Sequence, residues 1–204
     1  MGFIRKLVMP LNNDSIEKHI PYYLTQEAKQ GLIQALKDFP EKMNYYTSLY
    51  PEEMLQGDGL NNLQVIHFEN GQRKRIKGIL LSNSCDMDNN NKREFPIKLT
   101  FAPIIKLNNY SKILIEQGIN QIKINAKICA IKEQKITNLF YLPKNDILIE
   151  EHIALLSDLQ TLPLSALNIS LPTQKLFTLS QAGFYLFLFK LSIHFCRFHE
   201  NIER

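Results

Sequence analysis

The feature that most constrains the fold of this chain is a turn signal between two β-prone runs. Asn70-Gly71 stands inside the sequence LQVIHFENGQRKRIKGILLSNS, and an Asn-Gly pair supplies the positive φ angles that a tight hairpin turn needs. Further along, Ile97, Leu99 and Phe101 alternate with polar residues, which is the period of a half-buried strand. The centre of the chain is therefore predicted to form an antiparallel β-sheet.

The same period of two continues after this region. Ile122, Ile124 and Ile128 alternate with polar residues, which predicts a strand over 122–130. The sequence KITNLFYLP is predicted to be its hairpin partner, and HIALLSDLQTL is predicted to be one further strand. We expect one curved antiparallel sheet between Gly57 and Leu167, with its main strands at 63–69, 76–83, 97–105 and 152–161.

Three segments have helical patterns instead. Leu24 to Phe39 carries an apolar stripe at three- and four-residue spacing, and 108–118 predicts a short helix that ends at Gly118. The last segment, Leu179 to Phe198, is apolar on nearly every side, and Thr178 with Gln181 forms its predicted capping box. Such a helix is expected to be buried by the rest of the domain or by a second subunit.

These patterns predict a mainly β fold with added helices, of the α+β class, in one domain. We expect a helical N-terminal extension over 1–56, a β core over 57–167 with an insertion at 108–136, and a C-terminal helix over 168–204.

The net charge and the cysteines restrict the partners and the cellular compartment that are expected for this chain. Lys and Arg number 24 against 20 Asp and Glu, a net charge of +4, which permits an anionic partner without requiring one. The cysteines, Cys85, Cys129 and Cys196, include no closely spaced pair, which argues against a disulfide framework and a structural zinc site. The apolar run from Ala182 to Phe189 is too short to span a bilayer, and no signal peptide is evident. A cytoplasmic location without membrane attachment is expected.

The densest polar cluster follows a predicted strand, where binding and catalytic groups often lie. We take Ser82, Cys85 and Asp86 as candidate catalytic residues from this segment. Cys85 suggests a nucleophile, but the adjacent carboxylate disfavours a thiolate, and a packed strand-end cysteine is the simpler interpretation. Asp86 and Asp88 lack the glycine and glutamate of a calcium loop, so neither a metal site nor a cofactor is predicted.

The strongest basic run lies on the second arm of the hairpin. Arg73, Arg75 and Lys77 would share one face of a strand, and with Arg93 they are candidate contacts for nucleic-acid phosphates. The tyrosines that could stack on bases are Tyr45, Tyr46 and Tyr50. A solvated hairpin edge that prevents pairing between molecules explains the same charges equally well.

The order of several short motifs resembles that of the MazF/PemK toxin family. They are Gly57-Asp58, the strand VIHF, the hairpin NGQRKRIKGILLSN, TFAPI and HIALLSDLQTL. The resemblance covers roughly 57–167 and implies a PemK-like, SH3-like β barrel that cuts RNA and forms a homodimer. The family's catalytic arginine corresponds to Arg75, which stands one residue early, and Ile105 occupies the place of a family Thr or Ser.

Two functions therefore stay open at this point. The first is a toxin-type protein that interacts with RNA or another nucleic acid and has an antitoxin-like partner. If this protein cuts RNA, the expected reaction is attack of the ribose 2′-hydroxyl on the adjacent phosphate, without a metal. In that reaction Arg75 or Arg73 would stabilise the phosphorane, and a group within 82–86 would serve as acid or base. The alternative is a non-catalytic barrel that acts through a protein partner. A Cys85-dependent enzyme is a third interpretation.

Overall fold

The computed structural model describes residues 43–67, 69–88, 94–168 and 174–195. The chain divides into two compact units, Met1–Met43 and Asn44–Arg204, and the second unit contains the elements given below. The N-terminal helix predicted from Leu24 to Phe39 lies outside the described residues, as does the candidate phosphate contact Arg93.

Eight strands form one antiparallel sheet in the order β1-β8-β2-β3-β4-β6-β5, and β7 pairs with β4 beside β6. The strands are β1 (Tyr46–Thr47), β2 (Gly59–Ile66), β3 (Arg73–Leu80), β4 (Lys98–Lys106), β5 (Leu139–Leu142), β6 (His152–Leu155), β7 (Gln160–Pro163) and β8 (Lys175–Leu179). The helices are α1 (Ser84–Met87), α2 (Leu107–Glu116), α3 (Gln121–Lys132) and α4 (Gln181–Phe195), and a 3-10 helix spans Leu164–Asn168.

This architecture confirms the predicted mainly antiparallel β fold with added helices, the α+β class, and the sheet curls into half a barrel. The four main predicted strands all lie in this sheet. The predicted hairpin is formed by β2 and β3, although its loop is longer than two residues. His67 N–H donates to the Gln72 carbonyl at 2.9 Å, and Gly71 has a φ of +68°, a value that an L side chain rarely adopts.

The predicted single strand HIALLSDLQTL is interrupted in the structure. β6 and β7 pair with the same edge of β4, with Ala154 opposite Ile104 and Gln160 opposite Phe101. Five residues lie between Ala154 and Gln160, whereas two lie between Phe101 and Ile104 on β4, so the β6–β7 segment has three extra residues. The extra residues form the turn in which Asp158 N–H donates to the Leu155 carbonyl at 3.1 Å, so one ladder continues around an enlarged bulge.

The strand predicted over 122–130 is wrong, because this segment forms α3. Asn120 caps the helix by accepting a hydrogen bond from Lys123 N–H at 2.9 Å, and an N-cap of this kind favours a helix start. The buried residues Ile124 and Ile131 are seven apart, which places them on one helix face, whereas Ile122 is 81% exposed. KITNLFYLP does contain a strand, β5, but its partner is β6.

The C-terminal prediction was correct in its helix and wrong at its start. Thr178 belongs to β8 and forms no capping box. The cap is Ser180, whose Oγ accepts a hydrogen bond from Gly183 N–H at 3.0 Å. The helix needs glycine at 183 because a Cβ there would stand 2.4 Å from the Tyr45 carbonyl oxygen.

Apolar side chains pack on both faces of the sheet. One face carries the main cluster, formed by Leu60, Leu63, Leu80, Met87, Leu99, Phe101, Leu162 and Leu167. The opposite face, which we call the aromatic face, includes Phe140, whose ring centroid lies 5.1 Å from that of Phe187 in α4 and 6.4 Å from that of Tyr45. Tyr46 stacks on Phe177 in the same way, with centroids 5.1 Å apart. The helix α4 is therefore packed against the sheet within a single chain.

A buried ion pair fixes the segment that leads into β2. The Asp58 side chain has no solvent exposure, and its Oδ2 lies 2.9 Å from Lys175 Nζ. The same ammonium donates to the carbonyl oxygens of Tyr50 and Glu53 at 2.7 and 2.6 Å. Burial raises the pKa of Asp58, and the bonds from Lys175 and the Leu55 amide oppose that rise.

A second buried ammonium joins α4 to the end of α3. Lys190 is 3% exposed and donates to the carbonyl oxygens of Gln134 and Ile136, both at 2.6 Å. The side chain of Gln134 also covers the open edge of β5, because its amide exchanges hydrogen bonds with the backbone of Tyr141 at 2.9 and 3.2 Å. An amide in this place blocks pairing with a further strand.

We expect Asp58→Asn to lower the free energy of unfolding by about 3 kcal/mol, because it removes the carboxylate from a buried pair and leaves the charge of Lys175 uncompensated. Urea denaturation of both proteins measures the difference. Glu133→Gln, which breaks an exposed pair with Lys135, is the matched control and should change little. Equal effects of the two substitutions would contradict a special role for the buried pair.

Lys190 should make stability depend on pH in alkaline solution. Burial lowers its pKa from 10.5 to about 8. Between these two values the folded chain loses this proton before the unfolded chain does, so the free energy of unfolding should rise with pH, by at most about 1.4 kcal/mol per pH unit. The slope of the parent protein minus that of Lys190→Met isolates this contribution from the tyrosines and cysteines. A difference of zero between pH 8 and 10 would contradict it.

Candidate functional site

The segment 82–86 places its polar groups in different directions. Ser82 Oγ accepts a hydrogen bond from Thr100 N–H at 2.8 Å, and Ser84 Oγ accepts one from Gln56 N–H at 2.9 Å. Both hydroxyls therefore hold backbone together. Asn83 caps the short helix α1 through the Cys85 N–H at 2.9 Å.

The two remaining candidates of this segment, Cys85 and Asp86, are exposed. Asp86 lines a shallow depression with Glu94, Phe95 and Lys98. Ser84 faces a separate cleft of about 760 Å³, which is also lined by Tyr46 and Phe184. The predicted catalytic segment is thus divided between two surface features.

Arg75 lies at the other end of the same strand. Ser82 stands seven positions after Arg75, and the pairing with β4 continues to that point, since Leu81 and Ser82 both donate N–H groups to the Thr100 carbonyl. At about 3.3 Å per residue the two positions are on the order of 20 Å apart along the strand. The structure does not bring Arg75 together with Ser82, Cys85 and Asp86.

The basic run on β3 does share one face of the sheet. Ile76 packs on the main apolar cluster, so Arg73, Arg75 and Lys77 face the opposite way, as strand alternation requires. Arg73 is exposed, and Arg75 and Lys77 are half-buried. Arg75 Nη1 donates to the carbonyl of Asn62 at 3.4 Å, at the irregularity in β2 where Asn62 adopts a φ of +61°.

The register of β3, β4 and β6 adds residues that the sequence did not suggest. Lys77 stands opposite Ile104, and Lys106 stands opposite His152. Lys106 forms an ion pair with Glu150, and this contact holds the pKa of Glu150 below its ordinary value. We call the five residues Arg73, Arg75, Lys77, Lys106 and His152 the basic face.

His152 is the buried member of the basic face. It is 3% exposed, and its Nδ1 lies 2.8 Å from the Glu150 carbonyl oxygen. Its Nε2 is buried without a hydrogen-bond partner. Burial lowers the pKa of His152; the Glu150 carbonyl opposes this effect, and the charges of Lys77 and Lys106 add to it.

The tyrosines expected to stack on bases are mostly structural. Tyr45 is 4% exposed, and Tyr46 donates its hydroxyl to the Pro143 carbonyl at 2.8 Å. Only Tyr50 is open among the three, at 52% exposure. Stacking by Tyr45 was therefore wrong, because its ring is buried within the aromatic face, while Tyr46 is half-buried beside Phe177.

The described part of the chain carries neither a metal-binding cluster nor a helix that could span a membrane. Its His, Cys, Asp and Glu side chains form no group of three or more that could hold a metal ion. Every helix among the same residues is too short or too polar to cross a bilayer.

No protein-family model matches the sequence, and no curated protein is significantly similar to it.

The missed residues Lys106, Glu150 and His152 carried only a weak signal in the sequence. Each stands at an end of an apolar run, which is where a strand leaves the core. Nothing in the sequence gives the strand register that brings Lys106 and His152 together, since cross-strand partners are set by packing and by turn geometry.

We expect Ser82→Ala to lower the free energy of unfolding by about 1 kcal/mol, since the half-buried Thr100 N–H loses its acceptor. Cys85→Ala, at an exposed position three residues later, should stay within about 0.5 kcal/mol of the parent. Thermal or urea unfolding measures both. If the order were reversed, Cys85 rather than Ser82 would be the structural residue of this segment.

Proposed function

We propose that this chain is a PemK/MazF-like protein, that its curled sheet is an SH3-like barrel, and that it binds RNA or another nucleic acid through the basic face. The observation that carries the proposal is the alignment of Arg73, Arg75 and Lys77 on one face of β3, with Lys106 on the neighbouring strand. Glu150 is the acidic residue paired within this group. A surface of this kind attracts a polyanion.

Phosphate contacts would dominate this interaction. Guanidinium and ammonium groups neutralise backbone phosphates and release counterions, so the affinity falls as salt rises. Such contacts position the nucleic acid without reading its sequence. With Tyr45 buried and Tyr46 half-buried against Phe177, the proposal rests on charge rather than on stacking.

Cleavage of RNA is a separate question from binding. Arg75 has the charge needed to stabilise a phosphorane, but the acid-base groups expected within 82–86 lie at the other end of β3. We therefore propose a binding role first, within a toxin-type function, and assign no cleavage step to Ser82, Cys85 or Asp86.

The second candidate function is a non-catalytic barrel that binds a protein partner. The cleft of about 760 Å³ favours it, because Leu49 and Tyr50 both line this cleft and are 62% and 52% exposed. Apolar and aromatic side chains at a concave surface are typical of partner and ligand sites. An antitoxin-like chain is the partner that the family resemblance suggests.

The setting proposed for this function is cytoplasmic. Cys85 and Cys129 are exposed thiols, and exposed thiols persist in a reducing compartment.

We predict that replacing Arg73, Arg75 and Lys77 together by Ala weakens nucleic-acid binding and makes it less dependent on salt. Each lost phosphate contact should reduce the slope of log K against log salt by about 0.7 to 0.9. Fluorescence anisotropy with a labelled single-stranded RNA, titrated at several salt concentrations, measures both quantities.

The matched control removes three charges elsewhere, from the exposed residues Lys112, Lys123 and Lys144. This control should bind like the parent, because its net charge equals that of the test variant while its basic face is intact. If the parent shows no salt-dependent binding to RNA or DNA, the proposed function is wrong. If both triple variants lose affinity equally, binding is a property of net charge and not of this face.

We also propose a homodimer, as the family resemblance implies, formed through the outer side of α4. Phe187 is fully buried within one chain and would not test this interface, whereas Leu188 is half-buried and Phe195 is 55% exposed. The double change Leu188→Glu and Phe195→Glu is expected to give monomers in sedimentation analysis, and Ile115→Glu with Ile122→Glu, at exposed apolar positions of α2 and α3, is the control. A parent protein that sediments as a monomer would remove the dimer.

A further inference from the structure

The buried imidazole of His152 has an unsatisfied atom. Its Nδ1 lies 2.8 Å from the Glu150 carbonyl oxygen, and a carbonyl can only accept, so the hydrogen-bond network assigns the proton to Nδ1. In the neutral ring Nε2 is then an acceptor, and it is buried without a partner. Buried polar atoms of this kind are uncommon and call for an explanation.

Two lysines on the same face of the sheet influence this ring, Lys106 from the adjacent strand β4 and Lys77 from β3 beyond it. Lys106 stands directly opposite His152 across the β4–β6 ladder, where Cβ atoms are about 5 Å apart. Lys77 lies one strand further away, on β3, and is the diagonal neighbour of Lys106, because its partner Ile104 lies two residues before Lys106. The electrostatic influence of both lysines on His152 agrees with this placement.

The remaining neighbours of the ring are one carboxylate and one apolar side chain. Glu150 pairs with Lys106 and also favours the charged form of His152. From the other side, β5 places Leu142 opposite His152, and leucine carries no charge. The charged groups that face the ring from the described strands are therefore Lys77, Lys106 and Glu150.

We propose that Lys77, Lys106 and His152 form a binding site for one phosphate group of the nucleic acid, and that His152 takes up a proton when the phosphate binds. This inference rests on the proposed function and deepens it. The phosphate would replace the Glu150 carboxylate on Lys106 and would accept a hydrogen bond from the protonated Nε2.

The charges explain why binding and protonation are linked. With the site empty, two ammonium groups and burial oppose a positive ring. A bound anion offsets the lysine charges and provides the acceptor that Nε2–H needs, so the protonated ring becomes the favoured form. By reciprocity, a proton on His152 strengthens anion binding by the same factor.

A plain structural histidine would behave differently. It would keep the same pKa in the presence and absence of anions, since its hydrogen bond to the Glu150 carbonyl does not depend on a ligand. The response of the His152 pKa to an anion therefore separates the two interpretations.

The experiment uses the full chain labelled with 15N, and long-range NMR correlation spectra of the imidazole rings. The pH is varied from about 5 to 8 in sodium chloride and in sodium sulfate at equal ionic strength. Sulfate is the probe because it carries the shape and charge of a phosphate and does not titrate in this range. We expect a proton on Nδ1 in the unliganded ring and a rise of about one unit in the His152 pKa with sulfate.

His67, which is exposed and lies in the β2–β3 loop away from β4 and β6, is the internal control. Lys106→Met should abolish the sulfate effect on His152. Glu150→Gln removes the competing carboxylate but keeps the backbone carbonyl that holds Nδ1, so it should lower the sulfate concentration needed. An unchanged His152 pKa in sulfate, or an equal shift at His67, would overturn the phosphate site.

RNA binding at two pH values tests the site independently. The affinity of the parent should increase by up to about tenfold per pH unit as the pH falls through the His152 titration, and His152→Gln should lose this dependence. If RNA binding depends on Arg73, Arg75 and Lys77 but neither sulfate nor pH acts through His152, the phosphate site is wrong and the proposed function stands. If sulfate acts on His152 while RNA does not bind, the anion site is correct and its nucleic-acid ligand is wrong.

Discussion

The buried contact between Asp58 and Lys175 is the interaction on which the rest of the fold depends. It joins the start of β2 to the start of β8, and the Lys175 ammonium also holds the carbonyls of Tyr50 and Glu53. The backbone at Asp58 continues the connection, since its carbonyl accepts the Leu80 N–H at 2.9 Å. Within this contact Asp58 Oδ2 accepts from Lys175 and from the Leu55 N–H, whereas Oδ1 is buried without a hydrogen-bond partner, so the buried carboxylate depends on these two donors. These groups are therefore held in one arrangement, and that arrangement places β2 between β8 and β3.

The position of β2 in turn determines which side chains of β3 lie on each face of the sheet. One side of β3 must cover the cluster around Leu63 and Phe101, so its basic side chains face the opposite way. At one end of that opposite face the aromatic rings of Tyr45, Phe140 and Phe187 pack together. Elsewhere on this face Arg73 is exposed, Arg75 and Lys77 are half-buried and His152 is buried. The basic face is thus a consequence of how the aromatic residues cover only part of the sheet.

Sequence patterns predicted much of this fold, and the predictions that were wrong failed for physical reasons. Asn70-Gly71 and the alternation around Leu99 located β2, β3 and β4, because turn chemistry and strand period are local properties. The segment 122–130 has the same period of two but forms a helix, since Asn120 provides a cap and Ile124 and Ile131 meet a neighbouring surface. At the site, alternation placed Arg73, Arg75 and Lys77 on one face. Ser82, Cys85 and Asp86 were grouped because they are close in the sequence. In the structure Ser82 Oγ accepts a hydrogen bond from the backbone, whereas Asp86 lines a surface depression.

Local patterns were sufficient to predict the antiparallel hairpin, the three basic residues of β3 and an apolar C-terminal helix, because each depends on interactions between residues a few positions apart. Only the tertiary structure decided that Lys106 stands opposite His152, that Lys175 reaches Asp58 and that Lys190 binds the carbonyls beyond α3. These contacts join residues far apart in the chain, and their geometry is set by strand register and by the burial of both partners. A one-residue shift of register would move every side chain of a strand to the other face, so no local pattern contains that information.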